Sequence, residues 1–131
     1  MNTWLLKSEP DCYSWSEMTR DKATFWDGIH NYLARNNLRA MKRGDLAFFY
    51  HSGDEKQIMG IVKIVKEAYP DPKDPTWSWV DVELVKELPR PVTLAEMKAH
   101  PGLAGMKLFK MSRLSVVPVE EKEWETILAI R

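Results

Sequence analysis

Apolar and polar positions change their period several times along this chain, and each change marks an element. Thr3-Trp4-Leu5-Leu6-Lys7 is a strand-like run, stopped by Ser8-Glu9-Pro10-Asp11 because Pro10 cannot continue a central strand. Ser14-Trp15-Ser16-Glu17 places serine and glutamate three apart, a reciprocal helix-capping pattern, and predicts a short helix from about Trp15 to Arg20. Phe25-Trp26 runs directly into Asp27-Gly28, a turn signal. Asn31 then suits an N-cap, and Leu33, Ala34, Leu38 and Met41 recur on one side of a helix. Arg35, Arg39 and Lys42 fall together on the other side, and Gly44 stands where a glycine closing the helix is expected. This helix should pack by its Leu/Met side and show three cations to solvent.

Asp45 to His51 reads as a strand with Leu46, Phe48 and Tyr50 on one side and Phe49 and His51 on the other. Ser52-Gly53-Asp54 is a turn, and the β-branched run from Gln57 to Tyr69 carries Gly60 as an expected bulge. Pro70 to Pro75 is a proline-rich loop that should form an exposed flap. From Trp77 to Leu88 the alternation is clean, with Val80, Val82 and Leu84 inward and Trp77, Trp79, Asp81 and Glu83 outward. Two tryptophans on the polar side of a strand either wall a binding site or pack under the flap. Thr93-Leu94-Ala95-Glu96 caps another short helix, ended by His100-Pro101-Gly102. Gly102 to Lys110 reads as irregular and Ser112 to Pro118 as a last strand. Glu120 to Ile130 closes the chain as a helix with Trp124, Ile127 and Leu128 on one face and Arg131 at its end, which suits the helix dipole. Five or six short strands with interposed helices predict a mixed α/β chain of the α+β kind, a small barrel rather than a doubly wound sheet.

The 131 residues suggest one domain. The formal net charge is zero, so nucleic-acid contact should be local rather than a long grip on duplex. Six tryptophans exceed what a core of this size needs, so some indoles should line a site. Cys12 is the only cysteine, which excludes an internal disulfide and suits a reducing compartment. There is no secretory leader pattern and no bilayer-length apolar run, and no membrane partner is expected. Phosphate-binding glycine loops are absent, and His30, His51 and His100 lack zinc-ligand spacing, so neither a metal nor another cofactor is expected.

One polar cluster remains. Lys7, Ser8 and Glu9 end the first strand, and His51 and Ser52 end the Phe48–His51 strand. If those strands are neighbours, their ends converge beside Trp26 and form a concave site with one flat aromatic wall. Such a site suits a nucleobase, since stacking reads the ring face and hydrogen bonds read its edge. The base could come from a single strand, a free nucleoside, or a duplex that gives it up by flipping. The competing readings are a packed Trp26, a solvated cationic face, and a surface ion pair of Lys7 with Glu9.

Four stretches resemble the EVE domain: Trp4 to Pro10, Trp26 to Asn36, Phe48 to Ser52, and Val65 to Asp71. The resemblance implies a PUA-like β-barrel flanked by helices, and kinship with YTH and ASCH domains, relatives that hold a modified base in a cage using a tryptophan. It places that role on Trp26. His30 stands where eukaryotic members have arginine, Trp77 fits the family's loop-to-strand tryptophan, and Trp79 is particular to this chain. The expected function is recognition of a modified base, such as 5-methyl- or 5-hydroxymethylcytosine in DNA, with an RNA reader as an alternative. Ser8, Asn31, Tyr32, His51, Ser52 and Trp77 would join Trp26 around the base, and Lys7, Arg35, Arg39 and Lys42 would hold phosphates. The rival is an ASCH-like amidohydrolase acting on a modified nucleoside through Lys7 and Glu9. Absence of a basic N-terminal extension points to a bacterial-type cytoplasmic protein that could associate with the nucleoid, expected as a monomer.

Overall fold

The computed structural model describes residues 2–130; Arg131, assigned above to the helix end, lies outside them. The strands are β1 (Thr3–Ser8), β2 (Ala23–Trp26), β3 (Leu46–His51), β4 (Gln57–Pro70), β5 (Ser78–Thr93) and β6 (Val116–Val119). The helices are α1 (Trp15–Asp21), α2 (Tyr32–Ala40), α3 (Leu94–Ala99), α4 (Lys107–Lys110) and α5 (Glu121–Leu128). All six strands join one sheet in the order β2-β5-β4-β3-β1-β6. Neighbours are antiparallel except β1 and β3, which run parallel with Ser8 opposite His51.

This is an α+β fold with a barrel-like twist, and β2 and β6 remain the two edges of an open sheet. α2 touches β6 at one end of the strand order and β4 and β5 towards the other, so the sheet curls around it. Two polar contacts fix that position. Asn37 Nδ2 donates to the Val116 carbonyl at 2.8 Å, and Arg39 Nε donates to Ser78 Oγ at 2.9 Å.

The capping signals work as the sequence implies. Ser14 with Glu17 and Thr93 with Glu96 form reciprocal capping boxes on α1 and α3, and Asn31 Oδ1 accepts the Ala34 N–H at 2.9 Å to cap α2. The two faces of β3 are equally legible. Phe48 stacks on Trp124 of α5, with centroids 3.8 Å apart, while Phe49 turns to Tyr13, Trp15 and Trp26.

Several expectations need correction. β2 is a strand where the pattern predicts only the lead-in to a turn. β5 runs on through Pro89 and Pro91 to Thr93. Pro70 belongs to the end of β4, opposite Ser78, so the flap shrinks to Asp71–Trp77. The last strand begins only at Val116, because residues 111–113 form a turn, and the stretch read as irregular contains α4. Gly44 does not close α2. The helix ends on Met41 in an extended conformation, and Gly44 sits in the next turn, its N–H donating to Ile64. Leu33, expected in the core, is 42% exposed. The bulge at Gly60 is present, since the β4 register shifts between Ile58 and Gly60 against β5. Glycine is required there for a second reason: a Cβ would overlap the Trp15 ring and press on the Lys86 carbonyl.

Candidate nucleic-acid interface

Trp26 ends β2 opposite Val80, and its parity on the strand turns it inward. The ring meets Phe49 edge-on at 5.4 Å and Tyr13 edge-on at 6.5 Å, and only 6% of the residue is exposed. The expected uncovered indole is therefore corrected: in this conformation Trp26 belongs to the core cluster, sealed by two aromatic rings. The sequence could not supply that cover, because Tyr13 and Phe49 come from distant elements.

The polar atoms around this cluster are closely paired. β1 and β3 are indeed neighbours, and the Ser52 N–H donates to the Ser8 carbonyl at 3.0 Å. Ser8 Oγ donates to the Tyr13 carbonyl at 2.6 Å. His51 is buried, and its Nε2 accepts the Trp15 N–H at 2.9 Å, so the ring proton sits on Nδ1 and is donated to Glu55. Both His51 nitrogens are engaged, which leaves no ring atom for a base edge. The Trp15 indole N–H donates to Glu87 at 2.9 Å. The Tyr13 hydroxyl donates to Asp21, and burial first, then that carboxylate, pushes its pKa up to about 12. Short-range pattern does not mark Tyr13 and Trp15 as members of this cluster; the nearest signal is Gly60, whose missing side chain makes room for the Trp15 ring.

Lys7 departs from the expected cluster. It pairs with Tyr50, one residue beyond the Leu6–Phe49 pair, so its side chain leaves the sheet on the face opposite Trp26. Its Nζ donates to the Ser112 carbonyl at 2.8 Å and stands 5.9 Å from the Tyr50 ring centroid. Burial lowers its pKa, and burial likewise pushes Tyr50 up to about 12. Glu9 Oε2 lies 3.9 Å from the Cys12 thiol, and among the described residues Lys7 and Glu9 form no ion pair.

The open aromatics flank the loop that follows Trp26. Asp27, Gly28, His30 and Asn31 are exposed on this loop, with Gly28 in the left-handed region at φ 74°. At the start of α2, Tyr32 is 63% exposed and lies 5.2 Å from Trp77, their planes 31° apart. The Arg35 guanidinium stands 4.9 Å over the Tyr32 ring and 6.0 Å over Trp77, and His30 meets Trp77 edge-on at 5.3 Å. Arg35 and Arg39 both donate to the Thr76 carbonyl at 3.2 Å. Two of the three expected solvent cations thus clamp the flap onto α2, while Lys42 remains exposed beyond the helix end. Trp77 and Trp79 separate. Trp77 joins Tyr32, and Trp79 stacks on Phe25.

The arrangement offers flat rings, guanidinium groups and short hydrogen-bonding side chains around one exposed loop. Among the described residues no cluster of histidine, cysteine and carboxylate side chains could hold a metal ion.

The EVE domain profile matches residues 2–130. Thymocyte nuclear protein 1 of Gallus gallus is 40% identical over an alignment 163 positions long, covering 97% of this chain and 67% of that protein. A crystal structure of an Agrobacterium tumefaciens protein superposes with a TM-score of 0.93 at 42% identity, over 98% of this chain and 91% of its own. The crystal structure of human THYN1 protein in complex with DNA containing 5-methylcytosine superposes with a TM-score of 0.93 at 36% identity, over 99% and 97% of the two chains.

Proposed function

The chain belongs to the EVE domain family, and from that premise we propose that it is a binding module for a modified cytosine in DNA. One observation carries the reading: nearly the whole chain shares the fold of a human relative that was crystallised on DNA containing 5-methylcytosine. The exposed loop between two aromatic groups supports it from this chain's own residues. In this reading the base enters over the Asp27–Asn31 loop. Asn31 uses its amide oxygen to cap α2, so its NH2 is the donor towards the base edge. Ser52, next to the engaged His51, adds a hydroxyl, and Ser8 can still accept through its oxygen. Trp77 and Tyr32 line the entrance, and Lys42 is the cation placed for phosphate. Arg35 and Arg39 reach phosphate on giving up the Thr76 carbonyl, a neutral partner that a charged oxygen outcompetes.

Stacking on Trp26 requires Tyr13 to leave its edge-on position, so the site closes over the base by rearrangement. Binding of matched oligonucleotides with cytosine, 5-methylcytosine and 5-hydroxymethylcytosine tests the proposal. Because Trp26 is also a core residue, Trp26→Phe is the informative variant. The methylated duplex should bind more tightly than the plain one, and Trp26→Phe should reduce that preference by about fivefold or more, from the stacking energy of a base on an aromatic ring. Equal affinity for all three oligonucleotides would overturn the function. An unchanged preference in the variant would remove Trp26 from the site.

A further inference from the structure

Phe25 precedes Trp26 on β2 and therefore faces the other side of the sheet. Its ring lies against Trp79 with centroids 4.8 Å apart and planes 15° from parallel. Tyr69 meets Trp79 edge-on at 6.2 Å, and the Lys66 ammonium stands 4.2 Å from the Tyr69 ring centroid. The Tyr69 hydroxyl donates to Asp81, so that carboxylate is engaged. Trp79 is closed in on two sides. Phe25 has one ring face covered and the other open, and 49% of the residue is exposed. The core does not need it, because at this level β2 and β5 pack inward through Trp26, Val80 and Val82.

The geometry points to a second nucleic-acid contact, separate from the recognition site: the open face of Phe25 takes an unpaired base flanking the modified one, and Lys66 takes its phosphate. This rests on the DNA-binding reading above. The occupant follows from shape and position. Two nearly parallel rings form a column that a third flat ring can extend, and a single open ring offers no groove to a protein helix or strand. Phe25 and Lys66 pair with the same β5 residue, Asp81, from its two sides, and a cation on the same face as an aromatic platform is the arrangement that holds single-stranded nucleic acid without regard to sequence. Phe25 sits one residue from Trp26, at the same end of the sheet as the Asp27–Asn31 loop. A strand leaving the recognised base across that edge meets the platform directly.

The test measures the affinity of the full chain for a duplex carrying 5-methylcytosine near one end, either blunt or with a short 5′ or 3′ overhang. The intact chain should gain about tenfold from the overhang on one side only. Phe25→Ala should lose that gain and keep both its affinity for the blunt duplex and its preference for the methylated base. Lys66→Gln should lower the salt dependence on the overhang substrate by about one charge and leave that on the blunt duplex unchanged. No gain from either overhang, or the same gain in Phe25→Ala, overturns the platform. So does a loss of methyl preference in Phe25→Ala, which would place Phe25 in the recognition site. A Phe25→Ala change from dimer to monomer in sedimentation would assign the ring to self-association and overturn it too. If the intact chain gains from the overhang but ignores methylation, the modified-base reading fails and the platform stands.

Discussion

Two aromatic groups lie on either side of the Trp26 backbone, and they are built differently. Inside, Tyr13, Trp15 and Trp26 surround Phe49 at centroid distances of 5.2 to 6.4 Å, and the Trp15 and Trp26 contacts are edge-to-face. Outside, Phe25 lies nearly flat on Trp79, Tyr32 is tilted by 31° to Trp77, and cations stand over Tyr32, Trp77 and Tyr69. Edge-to-face packing uses both the faces and the rims of the rings and fills space in three directions, as a core requires. Flat stacking leaves the outer face of the last ring free. The interior group also has its polar atoms engaged, through His51, Glu55, Glu87 and Asp21. Aromatic content alone therefore does not locate a ligand surface; ring orientation and free faces do.

The comparison breaks most visibly at Trp26. Trp26→Ala should cost about 3–5 kcal/mol in urea or thermal unfolding, because it empties a sealed part of the core. A loss below about 1 kcal/mol would show that the ring is a ligand platform with little structural duty. His51→Leu should come next, at about 1–3 kcal/mol, because the buried Trp15 N–H loses its acceptor at the start of α1. Its unfolding midpoint should fall without a change in m-value. Tyr32→Ala should be the smallest, within about 0.5 kcal/mol, since the residue is 63% exposed and its ring lies against Trp77 and Arg35. The same variant should lower DNA affinity. A large loss of stability without a loss of binding would reverse the roles given to the two groups.

The candidate site was partly legible. The Asn31 cap and the exposed turn after Trp26 follow from short-range patterns, whereas the meeting of the β1 and β3 ends rests on the pairing of Thr3–Ser8 with Leu46–His51. The fate of individual side chains does not follow from such patterns. Lys7 and Ser8 are adjacent, and strand alternation sends one to Ser112 and the other to Tyr13. Which of them faces Trp26 depends on a strand pairing more than thirty residues away in sequence. Arg35 and Arg39 look like solvent cations on a helical wheel, and only the return of the flap supplies the Thr76 carbonyl that binds both. β2 went unseen because four residues before an Asp-Gly turn carry too little periodicity to stand out.

By itself the sequence determined where the capped helices α1, α2 and α3 start, where strands alternate, and that six tryptophans had to be placed. Those outcomes depend on backbone hydrogen bonds and side-chain periods that act within a few residues. Tertiary structure alone decided which indoles are covered. Trp4, Trp15, Trp26 and Trp124 are buried, and Trp77 and Trp79 are left half-open. Burial is decided by whatever surface arrives from elsewhere in the chain, and for Trp15, Trp26 and Trp124 that surface came from β3 and the segment before α1.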